Sequence, residues 1–457
     1  MKLLKYFKRV NMKLFKINRN IVRWFIRDFT YKYLVPVFGR LSYLTYLALR
    51  YVRPNLGFKL LLMSSRYSHS KLAMRSIAKN LNAMQGYIVD SLVMDKNVDQ
   101  QHAIDRSIVL QNPEFKEDKV AKGVLLITFT TTFTYYINNI NNRELLKYFH
   151  LVLEPSWAGY ALPEILFWAK FADGPIVVQS TEPKDFELIQ GLKSSLLAVT
   201  FGASDWVDHR VFKPLDLDKD YESIYVANFN AIKRHHVYFR ALSKLRNTSY
   251  KKSALVCGKW GEQIDEVYDL IKYYDLEDVL DVYVGLNQTE LNALLNRAKV
   301  NLLMSLKEGS NRSIFEGFYS GVPAIMLEKN IGVNKGYVNK DTGMIIKEKE
   351  LASALQHFST KWTRYDPRKW SLDNISAIKT TEKLTNIFSK SDSSKNPIAV
   401  KVNAPEVNFL ERDEKPYYLD CSVVMQIFGN LSADSEFFSQ QLKAELAKLP
   451  IKTNTSS

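Results

Sequence analysis

The stretch KVNLLMSLKEGSNRSIFEGFYSGVPAIM, residues 299–326, decides how the chain is read. An apolar run ends at Ser305, a short polar loop follows, and a helical pattern carrying Glu316 leads into a second apolar run, VPAIML (322–327). This succession describes a parallel α/β unit, whose buried strands are continuously apolar. In such sheets ligands bind at the carboxyl-terminal edge. The loop Glu308, Gly309, Ser310, Asn311 and Arg312 runs into a helix N-terminus at that edge, and free N–H groups there suit a phosphate. Glu308 and Glu316, eight residues apart, reach different parts of one extended ligand. Acids at this spacing also occur on ordinary solvated helices.

The same grammar extends in both directions. SIYVANF (223–229), SALVCG (253–258) and VLDVYVG (279–285) read as strands before the stretch, and TGMII (342–346) as one after it. VYDLIKYY (267–274) and TELNALLNRA (289–298) are the helices between. An earlier series comprises FKLLLM (58–63), GVLLITF (123–129), FHLVLE (149–154) and PIVVQS (175–180), with a helix expected around 135–149. Two series predict two doubly wound Rossmann-like domains, residues 54–215 and 216–388, hinged at FKPLDLDKD (212–220). Residues 389–457 read as a linker, KSDSSKNP (390–397), and an extension ending in one amphipathic helix.

Composition narrows the function classes. With 46% hydrophobic and 24% charged residues, wholesale disorder is excluded. Two cysteines, Cys257 and Cys421, are too few for a disulfide framework or a cysteine zinc site. No run approaches the ~18–20 apolar residues of a membrane span, and basic residues interrupt every candidate signal core before residue 40. A cytoplasmic chain is expected. Its net charge of +15 raises nucleic acid, a membrane or an acidic substrate as partners. Residues 1–53 hold thirteen basic side chains against Asp28 alone, a net of +12, which leaves +3 for the rest.

That basic end is amphipathic. Leu3, Phe7, Val10, Leu14 and Ile17 recur at helical spacing, opposite Lys2, Lys5, Arg9, Lys13 and Lys16. Val22, Phe25, Ile26, Phe29 and Tyr33 continue the stripe beside Arg19, Arg23 and Arg27, with Trp24 at the boundary as in interfacial helices. An anionic membrane surface is the expected partner of residues 1–53, and packing on the protein's own core is the ordinary alternative. Nucleic acid is disfavoured, because the aromatics join the apolar stripe instead of lining a basic surface.

Taken together, these segments resemble the family-4 retaining glycosyltransferases of GT-B fold, well over residues 195–350 and loosely over 120–195. Glu308 and Glu316 match that family's E-x7-E motif, and SGVPAIM (320–326) matches the stretch after it. LVCGKWGE (255–262) corresponds to an earlier strand and turn, and FGASDWVDHRVFKP (201–214) resembles the interdomain linker. YVANFNAIKRHH (225–236) resembles the strand and loop that offer an Arg and a Lys to the donor diphosphate. Lys233 matches the Lys, but Asn228 stands at the Arg position, which makes Arg234 the candidate second cation.

The resemblance implies a nucleotide diphosphate sugar as donor, with Glu308 beside the sugar and Glu316 on the ribose. Lys233 and the N–H groups around Gly309–Arg312 would meet the diphosphate. It further implies no metal and no other cofactor, retention at the anomeric carbon, and a glycan or lipid-linked acceptor held by residues 54–215. Surface polysaccharide or glycolipid synthesis at the inner face of the cell membrane fits this picture. The competing reading, prompted by Asn228, is a catalytically silent GT-B scaffold that recruits partners at the membrane.

Other features have plainer readings. Asp216, Asp218 and Asp220 suggest a metal-binding D-x-D site but sit in the expected hinge, where a solvated linker is the simpler account. His235 and His236 start a helix. His69, in SSRYSHS (64–70), and Trp157, in EPSWAGY (154–160), are the acceptor-side candidates, the tryptophan being more readily a core residue.

Overall fold

The computed structural model describes residues 19–92, 98–116, 119–259, 261–390, 398–401 and 414–450. The amphipathic pattern of residues 2–17 lies outside them, as does the linker from 391 to 397.

The strands are β1 (Ser107–Gln111), β2 (Glu114–Lys116), β3 (Lys119–Ala121), β4 (Gly123–Thr128), β5 (Phe149–Glu154), β6 (Ile176–Gln179) and β7 (Leu196–Val199), then β8 (Ser223–Val226), β9 (Ser253–Cys257), β10 (Leu280–Val284), β11 (Asn301–Leu303), β12 (Ala324–Leu327) and β13 (Gly343–Ile346). The first sheet runs β1-β4-β5-β6-β7, with β4 to β7 parallel and β1 antiparallel at its edge. β2 and β3 pair separately. The second sheet runs β10-β9-β8-β11-β12-β13, and every pair in it is parallel. Its strand order reverses between β8 and β11, the doubly wound pattern that opens a crevice at the carboxyl ends of those two strands.

FKLLLM is not a strand. It lies within the helix Pro54–Ser68, where Phe58, Leu61, Leu62 and Ser65 are buried at helical spacing. Pro54 supplies the preset φ favoured at a first helical position. Strand structure begins only at Ser107, and the polar edge residues there gave the run SIVLQ little prominence.

Three helices form a strap ahead of the first sheet: Arg19–Phe29, Val35–Leu49 and Pro54–Ser68. Between the first two, Thr30–Leu34 forms a π turn in which Val35 N–H bonds to Thr30 O, five residues back. Pro36 explains the widening, because its ring cannot follow an ordinary helical turn and it has no N–H to give. The second and third helices make a hairpin, and a Cβ on Gly39 would stand 2.8 Å from Ser68 N. The strap joins two cores. Ile21 and Trp24 are buried with the second sheet's residues, whereas Tyr46, Phe58, Leu61 and Leu62 belong to the first sheet's core. Trp24, expected at a lipid boundary, is therefore a fully buried anchor.

After β13 the chain returns to the first sheet. Phe388 stacks on His150, Ala399 N–H bonds to Leu110 O, and Phe428 packs against Phe149 and Tyr148. The single helix expected in the extension is two, Cys421–Phe428 and Ser435–Leu446. Both cysteines are free and buried.

Candidate functional site

The reversal of strand order sets the loops after β8 and β11 side by side. After β8, Asn230 accepts a hydrogen bond from Ile232 N–H at 3.1 Å and shapes a tight turn, Ala231–Lys233. Arg234 follows with φ +56°, and the helix His235–Leu245 begins. After β11 the chain reaches Glu308. Lys233 Nζ lies 2.6 and 2.8 Å from the two Glu308 carboxylate oxygens, with the side chains 14% and 6% exposed. The Tyr225 hydroxyl donates to the Lys233 carbonyl and braces the turn.

The Glu308 loop forms the seam between the sheets. Its carbonyl accepts from Ala158 N–H at 3.1 Å. A Cβ on Gly309 would stand 2.0 Å from Ser156 O, so only glycine lets these two loops meet. Ser310 Oγ accepts from Ser204 N–H at 2.9 Å and shares a 2.7 Å hydrogen bond with Ser204 Oγ. Thr181 donates to Gly332 O at 2.6 Å, and Gly332 N–H donates to Glu182 at 2.8 Å.

Asn311 has a structural task. Its Oδ1 accepts from Ser313 Oγ at 3.0 Å and Ile314 N–H at 3.1 Å, capping the helix Ser313–Tyr319. Glu316 is buried on that helix; burial pushes its carboxyl pKa up, and Arg312, 3.5 Å away, opposes the shift. The Asn228 side-chain oxygen is buried with no hydrogen-bond partner among the described residues.

Arg234 does not join Lys233. Its left-handed backbone turns it towards the strap, where Nε lies 2.6 Å from Asp28 and Nη2 2.8 Å from Glu348. Only 1% of the residue is exposed. Burial alone would raise the Asp28 pKa, but hydrogen bonds from His236 and Arg234 hold it far below the usual carboxylate range. Against the same upward push of burial, Arg234 leads the groups that hold Glu348 at about 2. His236 Nδ1 accepts from Trp24 Nε1 at 2.8 Å. The His235 ring lies against Trp24, Tyr225 and Phe239, and burial drives its pKa down to about 3. Both histidines serve the docking of the strap.

On the first sheet's side, His69 ends a helix in left-handed conformation; burial, then Lys307 and Lys184, lower its pKa to about 4. Trp157 is 47% exposed and not in the core, because its neighbour Ser156 is held against Gly309 at the seam. Asp216 and Asp218 are exposed, and Asp220 pairs with Arg297 at 2.7 Å. No group of three metal-ligating side chains occurs among the described residues.

Four residues went unnoticed in the sequence. Lys307 precedes Glu308 and feels the charges of Asp185, Arg66 and Glu182. Asp185 accepts from Gly159 and Tyr160 N–H at 2.6 and 2.8 Å, and burial pushes its pKa up to about 7. Glu182 and Asp185 lie just after PIVVQS, so the sheet-edge argument applied to Glu308 would have found them too. Lys401, buried 2.9 Å from Glu154, arrives from 247 residues away and left no local signal.

Two α/β sheets that meet over loops at their carboxyl edges, with a lysine after β8 paired to a glutamate after β11, define the two-domain GT-B class of fold. Within it, residues 208–368 match the family described as glycosyl transferases group 1. Among solved structures it is similar to sucrose-phosphate synthase of Thermosynechococcus elongatus, at 13% identity over 59% of this chain and 73% of that one, with a TM-score of 0.48. It is also similar to S. aureus TarM, at 14% identity over 57% and 55%, TM-score 0.47. The third is Anabaena HepE in complex with UDP, at 14% over 58% and 78%, TM-score 0.46. The matched part spans just over half the length of TarM. No curated protein matches the chain.

Proposed function

We propose that this protein is a retaining glycosyltransferase that moves a sugar from a nucleotide diphosphate sugar to a glycan or lipid-linked acceptor at the cytoplasmic face of a membrane. The observation that carries the reading is the Lys233–Glu308 pair at the strand-order reversal, inside the segment that matches the group 1 family.

Breaking the anomeric C–O bond drives negative charge onto the diphosphate. Lys233 and the backbone N–H groups around Gly309–Arg312 stabilise that charge, commonly the largest catalytic contribution. An entering diphosphate competes with Glu308 for the Lys233 ammonium. Glu308 then turns to the sugar hydroxyls and orients the ring through an oxocarbenium-like state. Glu316, from its buried helical turn, holds the ribose. With Arg234 committed to Asp28, Asn228 contributes only a neutral amide, so Lys233 supplies the main fixed charge and no metal is invoked.

The strap supports membrane association. Ile26, Phe29, Tyr33, Val37, Leu41 and Leu44 are all exposed and follow one another at three- and four-residue steps. No helix among the described residues is long and apolar enough to cross a bilayer. A surface-lying strap accounts for the exposed row.

Purified protein is incubated with a panel of nucleotide-sugars and donor consumption is followed. Turnover abolished by Glu308→Ala and Lys233→Ala supports the enzyme. No nucleotide binding by calorimetry would sink it in favour of the silent scaffold. Ile26→Glu with Leu41→Glu tests the membrane claim, since both positions are exposed; unchanged liposome co-sedimentation would refute it.

A further inference from the structure

A cavity of about 510 Å³ opens between the strap, the helices His235–Leu245 and Leu351–Lys361, and the ends of β12 and β13. Neither Glu308 nor Lys233 lines it. Seven of its lining residues are basic and two acidic, while the whole chain beyond residue 53 carries a net of only +3. The cavity is therefore a local concentration of charge, not a share of a general excess.

Its internal pairing leaves most of that charge unanswered. Glu348 alone receives Lys32 at 3.1 Å, Arg234 at 2.8 Å and Arg240 at 2.5 Å. Lys244, Lys329, Lys347 and Lys349 also face the cavity and take no ion pair from any described residue. Cations gathered in one concavity repel one another and focus a field that draws in an anion. Lysines act as compact point charges on flexible stems and suit a phosphate without fixing its orientation.

The setting identifies what carries the phosphate. Lys32, on the rim, stands among the exposed Phe29, Tyr33 and Leu34. The same strap lines an apolar groove of about 460 Å³ with Ile21, Phe25, Ile26, Leu34 and Tyr273. A soluble phosphate ester has no use for such neighbours; a phosphate on an acyl chain does. We propose that the cavity is a headgroup site for an anionic phospholipid whose chain lies along the strap. The proposal rests on the membrane association argued above and adds a second, stereochemically distinct contact through the nucleotide-sugar domain.

The test compares the full-length protein with the variant Lys244→Gln/Lys347→Gln/Lys349→Gln on vesicles of phosphatidylcholine alone or mixed with phosphatidic acid. A control variant, Lys251→Gln/Lys361→Gln/Lys369→Gln, removes the same charge from exposed positions outside the cavity. The wild type is expected to co-sediment with the mixed vesicles and the cavity variant to partition about 100-fold more weakly, at roughly fivefold per lysine. The control loses far less, and donor consumption is unchanged in both. If the two variants lose affinity equally, or the cavity variant loses none, the headgroup site is overturned while the membrane reading stands. A wild type that sediments with no vesicle overturns both. Calorimetry with glycerol 3-phosphate supplies the last arm: tight binding with unaltered vesicle partition would reassign the cavity to a soluble ligand.

Discussion

Lys233 and Arg234 are consecutive cations on one turn, yet they face opposite sides of it. Lys233 meets a glutamate carried by the loop at the seam. Arg234 meets an aspartate from the strap and a glutamate from beyond β13. The switch is made by the φ of +56° at Arg234, a left-handed conformation costing a non-glycine residue about 1 kcal/mol. Two carboxylates on a nearly inaccessible guanidinium hold it there. Of two adjacent charges, one pairs with a glutamate of the seam loop and the other fastens a helix. Charge type does not distinguish them; the partners do.

The comparison can be broken by substitution. Lys233→Ala is expected to lower donor turnover about 10³-fold, roughly 4 kcal/mol in the barrier, measured as steady-state donor consumption. Asp28→Asn removes a principal partner of a buried cation. It should cost about 3 kcal/mol of stability in denaturant unfolding, with turnover falling less than tenfold. If instead Asp28→Asn matched Lys233→Ala in turnover at full stability, the division of labour would be wrong.

Acid acts on the same fastening. Asp28 and Glu348 both have folded pKa values below their ordinary ones, Glu348 at about 2 against 4.5. Their contribution is complete above the unfolded value and disappears as pH falls from about 4.5 towards 2. His69, lowered from 6.5 to about 4, loses its contribution in the window just above, since the folded site resists its protonation. In that upper window Asp185, raised to about 7, acts in the opposite sense, so unfolding midpoints at graded pH should decline in the lower window, and Asp28→Asn should flatten that decline.

Smaller effects sharpen the picture. Gly309→Ala places a Cβ against Ser156 O and should cost about 2 kcal/mol by overpacking, with donor KM altered as the seam shifts. Trp24→Phe removes the bond to His236 and leaves a void where the larger indole is buried. About 2 kcal/mol of stability is expected to go, and turnover to stay constant.

How much of this was legible follows from the range of each interaction. The second sheet was readable because each parallel strand is a contiguous apolar run with its helix close behind. The placing of Glu308, Gly309 and Lys233 at a sheet edge came from strand pattern and from resemblance. FKLLLM misled because a run of six apolar and basic residues fits either element. Arg234 was misassigned because its partners lie 206 and 114 residues away, beyond any local pattern. Trp24 looked interfacial for the same reason: its acceptor, His236, is 212 residues distant.

The strap crosses the joint of the molecule. It is pinned by Trp24 to the core of the second sheet and by Tyr46 to that of the first, and its π turn, Thr30–Leu34, falls between the pins. Any rocking of one sheet against the other must therefore flex that turn. A strap lying on a bilayer would make the lipid surface itself a splint, limiting the rocking to one plane and setting the height at which the seam opens. An acceptor diffusing in two dimensions would then always arrive from the same side.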